Sequence, residues 1–264
     1  MEWFQANLLL STGLAAILAL LAYGVKAITI GGALVGFAVA VAILYSGGLP
    51  LFLLLLLFVG FGALFAKLPK TDSPKADQHG LRGGFQVFPT VGVAELLAVA
   101  MQLQWWQDAM WQRAFVSGIV VVLAASFSDT LSAELGSRYG GTPRKLLFGK
   151  QLEPGQSGGM MLFGLAIGAL AAFTIPFLAT KLGILPRDTD ANLAMIAFAG
   201  NLLDSLLGAF VQATYRCEKC GFESEFSRHC NAKGTVIHGL PVSNAGVNLI
   251  VTAVLGAIVV WWNL

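Results

Sequence analysis

Apolar residues run through this chain in long blocks, and polar residues collect between them. A helix that crosses a bilayer needs about 20 mostly apolar residues. Eight blocks of that kind lie at 4–22, 27–45, 49–66, 86–103, 114–136, 159–180, 192–213 and 243–262. Strands of a membrane barrel would be about 10 residues long and alternate in polarity; no block here does so. Leu51 to Phe58 is apolar all round, which suits a lipid-facing helix. The pattern predicts an all-α, polytopic transmembrane helix bundle of about eight spans. Three connections are long and polar, at 67–85, 137–158 and 214–242. With no strong repeat and no low-complexity tract, residues 1–264 read as a single integral membrane domain.

Composition supports this reading. Of the residues, 56% are hydrophobic and 11% charged, against about 25% charged in soluble domains. So little polar surface cannot cover a soluble globule. The net charge of +2 gives no reason to expect a nucleic-acid partner. The first apolar block carries only Glu2 at its flank and lacks a basic leader, so it is expected to be a span and not a cleaved signal.

The basic residues divide unequally between the two sides. With eight spans, one side holds Lys26, Lys67, Lys70, Lys75, Arg82, Arg138, Arg144, Lys145, Lys150, Arg216, Lys219, Arg228 and Lys233. The other holds Arg113, Lys181 and Arg187. Cytoplasmic loops are enriched in Lys and Arg, so the three long connections are expected in the cytoplasm and both termini outside. Trp105, Trp106, Trp111, Trp261 and Trp262 fall at span ends, as an interfacial aromatic belt does.

Ionisable groups inside spans are costly and mark functional sites. Four acids stand out: Glu95, Asp129, Glu134 and Asp204. The fifth span ends in Ser126-Phe127-Ser128-Asp129-Thr130-Leu131-Ser132-Ala133-Glu134. Thr130 and Glu134 share a helix face, with Asp129 about 140° from Glu134. The cluster reads as a divalent-metal or proton-transfer site; the plain alternative is a polar helix end in the headgroups. On the seventh span Asn201, Asp204, Ser205, Gly208 and Gln212 form one polar stripe at helical spacing. Such a stripe either glues helices together or faces a site, and Asp204 wants a metal, a cation or a proton. Asn244, Asn248 and Thr252 recur every four residues on the last span, as the opposite wall of that site or as packing glue. Glu95 either completes the site or pairs with an arginine.

Two segments suit anions. Pro154-Gly155-Gln156-Ser157-Gly158-Gly159 opens the sixth span just after Arg144, Lys145 and Lys150. Free backbone N–H groups at a helix start favour phosphate; a flexible loop is the bland alternative. No Walker motif is present. Arg82, ahead of the fourth span, either grips phosphate or sits as an interfacial charge. In the last connection Cys217-Glu218-Lys219-Cys220 is followed by His229-Cys230, with His238 beyond. Three cysteines are an odd number for a disulfide framework. Cys217, Cys220, His229 and Cys230 fit a four-ligand structural Zn²⁺ site, or else remain free thiols.

Taken together, Ser128-Asp129-Thr130…Glu134-Leu135-Gly136, Pro154-Gly155…Gly158-Gly159, Leu203-Asp204-Ser205…Gly208…Gln212, Cys217…Cys220…Cys230 and Asn244…Asn248 resemble the phytyl-phosphate kinase family of the tocopherol pathway. That family has a branch designated a domain of unknown function and transmembrane protein nineteen. The likeness covers nearly the whole chain and is most distinctive from about residue 126 onward. Departures are Ser128 for the family's Ala, Gln156-Ser157 for its Thr and Asn, and Thr90 for an Asn. The resemblance implies a kinase, a transferase of isoprenoid lipid metabolism. It would convert a prenyl phosphate monoester to the diphosphate with a nucleoside triphosphate, CTP or ATP, and magnesium. Asp129 and Asp204 would hold Mg²⁺, with Glu134 as a further ligand or base. Arg82, Arg144, Lys145, Lys150, Gly155, Ser157, Gly158 and Gly159 would bind phosphates; Ser128, Thr130, Asn201, Ser205, Gln212, Asn244 and Asn248 would form the polar walls. The rival readings are a cytidylyltransferase-like transfer onto a lipid phosphate, and a transporter or flippase that uses the intramembrane acids.

Overall fold

In lipid a backbone must satisfy its own N–H and C=O groups, so each apolar block closes into a helix. The computed structural model describes residues 7–66, 83–103, 108–145, 149–152, 158–224 and 227–264. Seven helices stand among them: α1 (Leu8–Gly24), α2 (Ile30–Ala66), α3 (Gly84–Ala100), α4 (Ala109–Tyr139), α5 (Leu162–Lys181), α6 (Asp190–Phe210) and α7 (Asn244–Trp262). Side chains cap several starts. Asp108 accepts the Trp111 N–H at 2.9 Å, and Ser243 accepts that of Gly246 at 3.2 Å. Five helices are long and apolar enough to cross a membrane. The 17 residues of α1 and of α3 reach about 26 Å each, a little short of the hydrocarbon core.

The count of helices differs from the eight expected spans because α2 contains two of them. Its 37 residues would extend about 55 Å if straight, nearly twice the hydrocarbon thickness. Gly48 interrupts it with a left-handed backbone (φ 67°, ψ −172°), and Pro50 follows. The contacts on either side show a reversal. A Cβ on Gly84 would lie 3.0 Å from the Gly31 carbonyl, and one on Gly62 would lie 3.8 Å from Thr130 Cγ2. Gly84 opens α3, and Thr130 lies in the last third of α4. The opposite ends of those two helices meet where the Gln112 amide donates to the Met101 carbonyl at 2.8 Å. Gly31 and Gly62 are therefore at the same level, and α2 runs out to Gly48 and back. The spans expected at 27–45 and 49–66 are its two arms.

This reversal puts the connection before α2 on the same face as the start of α3, the α4–α5 connection and the α6–α7 connection. Lys26, Arg144, Lys145, Lys150, Arg216, Lys219, Arg228 and Lys233 thus share one face. Arg113, Lys181 and Arg187 sit at the other end. Arg82, Gly155 and Ser157, with Trp105 and Trp106, lie outside the described residues.

At the centre is α4, which touches α2, α3, α5, α6 and α7. Val120 through Ala124 are fully buried. The outer helices turn Leu9, Leu20, Leu34, Leu170 and Met195 outward, as lipid requires. The Leu51–Phe58 run was expected to face lipid. Instead Leu51, Phe52, Leu54, Leu55 and Phe58 belong to the core and only Leu53 is exposed, because this arm of α2 packs inward against α4. Phe58 and Phe61 both set their rings edge-on to Phe127, at 6.2 and 6.1 Å.

Two small sheets join the helices. Strands β1 (Arg144–Lys145) and β2 (Gly159–Met160) pair antiparallel between α4 and α5. Between α6 and α7, β3 (Thr214–Cys217), β4 (Glu223–Ser224), β5 (Arg228–His229) and β6 (Ala232–His238) form a sheet in the order β4-β3-β6-β5. Sequence pattern offered only a polar loop there. Most of β6 is exposed on both faces, so no in–out alternation marked it as a strand.

Close helix crossings in lipid favour small residues. At the α4–α5–α6 crossing a Cβ on Gly168 would overlap the Asn201 amide and stand 3.2 Å from Ser132 Cβ. Nothing lies within 4 Å of the equivalent point on Gly60. Gly168→Leu is therefore expected to lower stability by about 1–3 kcal/mol and Gly60→Leu by much less. Thermal unfolding in detergent, followed side by side, checks this; equal losses would refute the crossing.

Candidate functional site

Helices α3, α4, α6 and α7 line a small cavity that is partly open to the outside. Two carboxylates line it, Asp129 from α4 and Asp204 from α6. Thr90, Ser126, Asn201, Asn248 and Thr252 complete its polar lining, while Ala125, Gly200 and Val251 supply apolar wall. Asp204 lies six residues before Phe210, the end of α6, and Asn248 four residues into α7. At 1.5 Å per residue these are depths of about 9 and 6 Å. The cavity therefore sits inside the face that carries the basic connections.

The neutral polar groups are spent on holding helices together. The Asn201 amide donates to Ser128 Oγ at 2.9 Å, and that hydroxyl donates to the Gly168 carbonyl at 2.8 Å. One chain of bonds thus ties α6 to α4 and α4 to α5. Ser126 Oγ donates to the Thr90 carbonyl at 2.5 Å, and the Thr252 hydroxyl is shared between the Asn248 carbonyl of its own helix at 2.8 Å and the Pro89 carbonyl at 3.1 Å. The bonds to Thr90 and Pro89 fix α4 and α7 against α3. Asn248 serves an acid: oriented with its nitrogen toward acceptors, its amide donates to Asp204 Oδ1 at 2.8 Å and to the Asn244 carbonyl at 3.2 Å. The Asp204 carboxylate is thereby aimed by α7.

The other residues singled out in the sequence fall around this cavity. Glu134 is not among its lining residues; its carboxylate bonds Arg138 Nη1 at 2.6 Å, and the same nitrogen reaches the Glu134 carbonyl. Thr130 is buried toward α2. Ser205 is half-buried on α6 outside the lining, and Asn244 is exposed at the start of α7. Gln212 is buried just past α6, where it bridges to Val242. Glu95 is half-buried on α3, outside the lining. Thr90 and Ser126 line the cavity although sequence pattern did not pick them as site residues. The available signal was a hydroxyl beside a proline within an apolar helix, at the position where the resembled family carries Asn.

The glycine-rich segment reaches the same place from outside. Strand β2 places Gly159 opposite Lys145 and Met160 opposite Arg144. Gly158 adopts φ +73°, and a Cβ there would collide with the Ala209 backbone. Only a glycine lets this turn lie on the end of α6. Lys145 Nζ stands 5.4 Å from the centre of the Phe210 ring. The basic pair, the glycine turn and Asp204 are thus stacked along the last two turns of α6. Lys150 is exposed, and its carbonyl accepts the Lys145 N–H at 3.0 Å.

A second cluster lies in the β3–β6 sheet. The ligand atoms of Cys217, Cys220, His229 and Cys230 all fall within 4.8 Å of one another. His229 Nδ1 is 3.2 Å from the sulfurs of both Cys220 and Cys230, which are 3.7 Å apart. The Cys220 backbone N–H beside its sulfur holds the Cys217 thiol well below the ordinary range, at about 6, with burial opposing and His229 and the Lys219 N–H assisting. The neighbouring Cys220 side chain pushes the Cys230 thiol the other way.

The family model for Integral membrane protein DUF92 matches residues 13–256. This chain belongs to the DUF92 family. Among its relatives, Protein PGR of Arabidopsis thaliana is 28% identical over 237 residues, covering 81% of this chain and 82% of that protein. Uncharacterized membrane protein MJ0933 of Methanocaldococcus jannaschii is 29% identical over 215 residues, 80% of this chain and 81% of its own length. Protein VTE6, chloroplastic, of Arabidopsis thaliana is 31% identical over 104 residues, 39% of this chain and 31% of that protein. No solved structure matches. DUF92 membership and these relatives agree with the resemblance carried by the sequence motifs, and the chain is a multi-pass integral membrane protein.

The Asn201–Ser128–Gly168 chain is buried and fully bonded, so its loss should be felt by the fold. Asn201→Leu leaves Ser128 without its donor and is expected to destabilise the bundle by about 1–3 kcal/mol. A thermal-unfolding midpoint equal to wild type in the same detergent would show that the bond does not hold α6 in place.

Proposed function

We propose that this DUF92 protein is a membrane-embedded prenyl-phosphate kinase. It would transfer the terminal phosphoryl group of a nucleoside triphosphate, CTP or ATP, to an isoprenoid alcohol monophosphate. The observation that carries this reading is the convergence of Asp129 and Asp204 on one cavity, with the glycine turn and the Arg144–Lys145 pair at the end of α6 beside it. Phosphoryl transfer asks mainly for positioning and for neutralisation of developing charge. The partial match to Protein VTE6, chloroplastic supports a prenyl-phosphate-related role.

The donor set suits Mg²⁺, which is commonly held by one or two carboxylates together with substrate phosphates. Asp129 and Asp204 would hold it, and when bound it would neutralise charge on the phosphates. Asn248 keeps the Asp204 carboxylate turned into the cavity. Arg144 and Lys145 would draw the anionic nucleotide to the mouth, and the N–H groups of Gly158 and Gly159 would meet its phosphates. Lys150, with Arg82, Gly155 and Ser157, would extend that grip. Glu134 engages Arg138 and is assigned to orienting the end of α4. The isoprenoid tail would lie in the bilayer against the apolar helix faces. In this reading the basic face is cytoplasmic, where nucleotide is available, and both termini are outside.

Purified protein in detergent, given Mg²⁺, CTP or ATP and a panel of prenyl monophosphates, is expected to yield a prenyl diphosphate by mass spectrometry. Asp129→Asn and Asp204→Asn are each expected to cut turnover by about 100-fold or more with unfolding midpoints near wild type. A cytidine-bearing lipid would replace the kinase with a cytidylyltransferase. Full activity in either variant would overturn the site. No product from folded protein, with ion-coupled lipid flux in liposomes, would favour the transporter.

A further inference from the structure

The β3–β6 sheet presents a physical problem. It spans Thr214 to His238, yet among its described residues only Cys217, Phe222 and Gly234 are buried. Val236 and Ile237 are exposed. A unit this small cannot bury enough apolar surface to order itself, and units of such size usually rely on metals or disulfides. The cysteines are free thiols. At its base the sheet is tied by the Ala213 N–H to the Val242 carbonyl at 3.0 Å and the Leu240 N–H to the Val211 carbonyl at 2.8 Å. At the far end, where β4 and β5 turn, the described residues offer backbone bonds such as Cys217 N–H to the Phe222 carbonyl and Gly234 N–H to the Ser227 carbonyl, both at 2.9 Å, and the solvent-facing Arg216–Glu223 pair, with little apolar burial behind them.

That far end is where the four ligand atoms gather. Two tight turns deliver them. The first runs from Cys217 to Cys220 and closes with the Gly221 N–H on the Cys217 carbonyl at 2.9 Å, Gly221 having φ +70°. The second is a two-residue hairpin: Arg228 pairs Lys233, His229 pairs Ala232, and Cys230 and Asn231 between them have φ 51° and 52°. Hairpin turns with both central residues left-handed prefer Asn-Gly, because a Cβ is disfavoured there. Cys230 occupies the first of these positions against that preference, and the conformation points its sulfur at Cys220 and His229. Around a tetrahedral Zn²⁺ with Zn–S of about 2.3 Å and Zn–N of about 2.0 Å, sulfurs stand about 3.8 Å apart and sulfur and nitrogen about 3.5 Å. The observed separations of 3.7 and 3.2 Å need only slight expansion. The Phe222 ring, 5.1 Å from the His229 ring, shields one side.

We infer that Cys217, Cys220, His229 and Cys230 bind one structural Zn²⁺ that serves as the core of the β3–β6 sheet. All four coordination positions are filled by protein, so the ion staples and does not catalyse. Binding releases thiol protons and leaves three thiolates and one neutral imidazole on the metal. The inference stands apart from the kinase reading, and its test reads metal, not turnover.

The full chain, purified in detergent with reductant and without chelator, is expected to carry about one zinc per chain by elemental mass spectrometry. Cobalt exchanged into wild type should give the thiolate charge-transfer and d–d absorption of a tetrahedral site. Zinc should protect the three thiols from alkylation, and chelation should expose them. Cys220→Ser and Cys230→Ser are each expected to weaken zinc binding by about tenfold or more. Wild-type protein that takes up no zinc or cobalt and whose thiols alkylate equally with and without added zinc overturns the inference; that result needs no variant to fold. Full zinc retained by the Cys220→Ser, Cys230→Ser double variant also overturns it.

Discussion

Within a bilayer no water compensates a buried donor, acceptor or charge, and this bundle is arranged around that constraint. The polar side chains of α3, α4, α6 and α7 fall into two groups that meet it differently. Ser126, Ser128, Asn201 and Thr252 close on backbone carbonyls or on one another and hold helices at fixed distances. Asp129 and Asp204 line a cavity. The first group helps to place the second, because these bonds, with the close approaches at Gly168 and Gly200, specify how α4, α6 and α7 rotate about their axes. Leu and Val fill such a core in many registers; a hydrogen bond from Asn201 to Ser128 permits one.

The position of the cavity follows from chain direction. Helix α3 begins, α4 ends, α6 ends and α7 begins at one face, so residues near those termini converge there at similar depth. The same alternation brings the β1–β2 ribbon and the β3–β6 sheet to that face. Gly158 then needs only to rest on Ala209 to bring the glycine turn within two helical turns of Asp204. In the proposed kinase, the groups for nucleotide and for lipid phosphate would be joined by this one helix end.

Much of this was legible in the sequence, for physical reasons that differ by element. The spans were legible because lipid imposes a length on apolar blocks, and the gathering of basic connections on one face because Lys and Arg avoid the other set of loops. The polar stripe on α6 was legible because 3.6-residue periodicity survives in an apolar background. Thr90 was not, because a lone threonine on a helix carries no periodic signal and its place in the cavity depends on α4 and α7. Glu134 looked like a partner of Asp129 by proximity in sequence, yet Arg138 one turn on engages its carboxylate. Leu51 to Phe58 looked lipid-facing because a membrane core and a lipid surface use the same side chains. The β3–β6 sheet left little trace, since its strands are short and its faces are mostly wet.

The reversal at Gly48 has a consequence for how the chain enters the membrane. The two arms of α2 meet at Gly47-Gly48-Leu49-Pro50, with no charged residue at the turn. No hydrophilic segment has to be carried across the bilayer to form it. An uncharged turn of this kind lets the two arms partition into lipid together, as one apolar hairpin governed by their combined hydrophobicity.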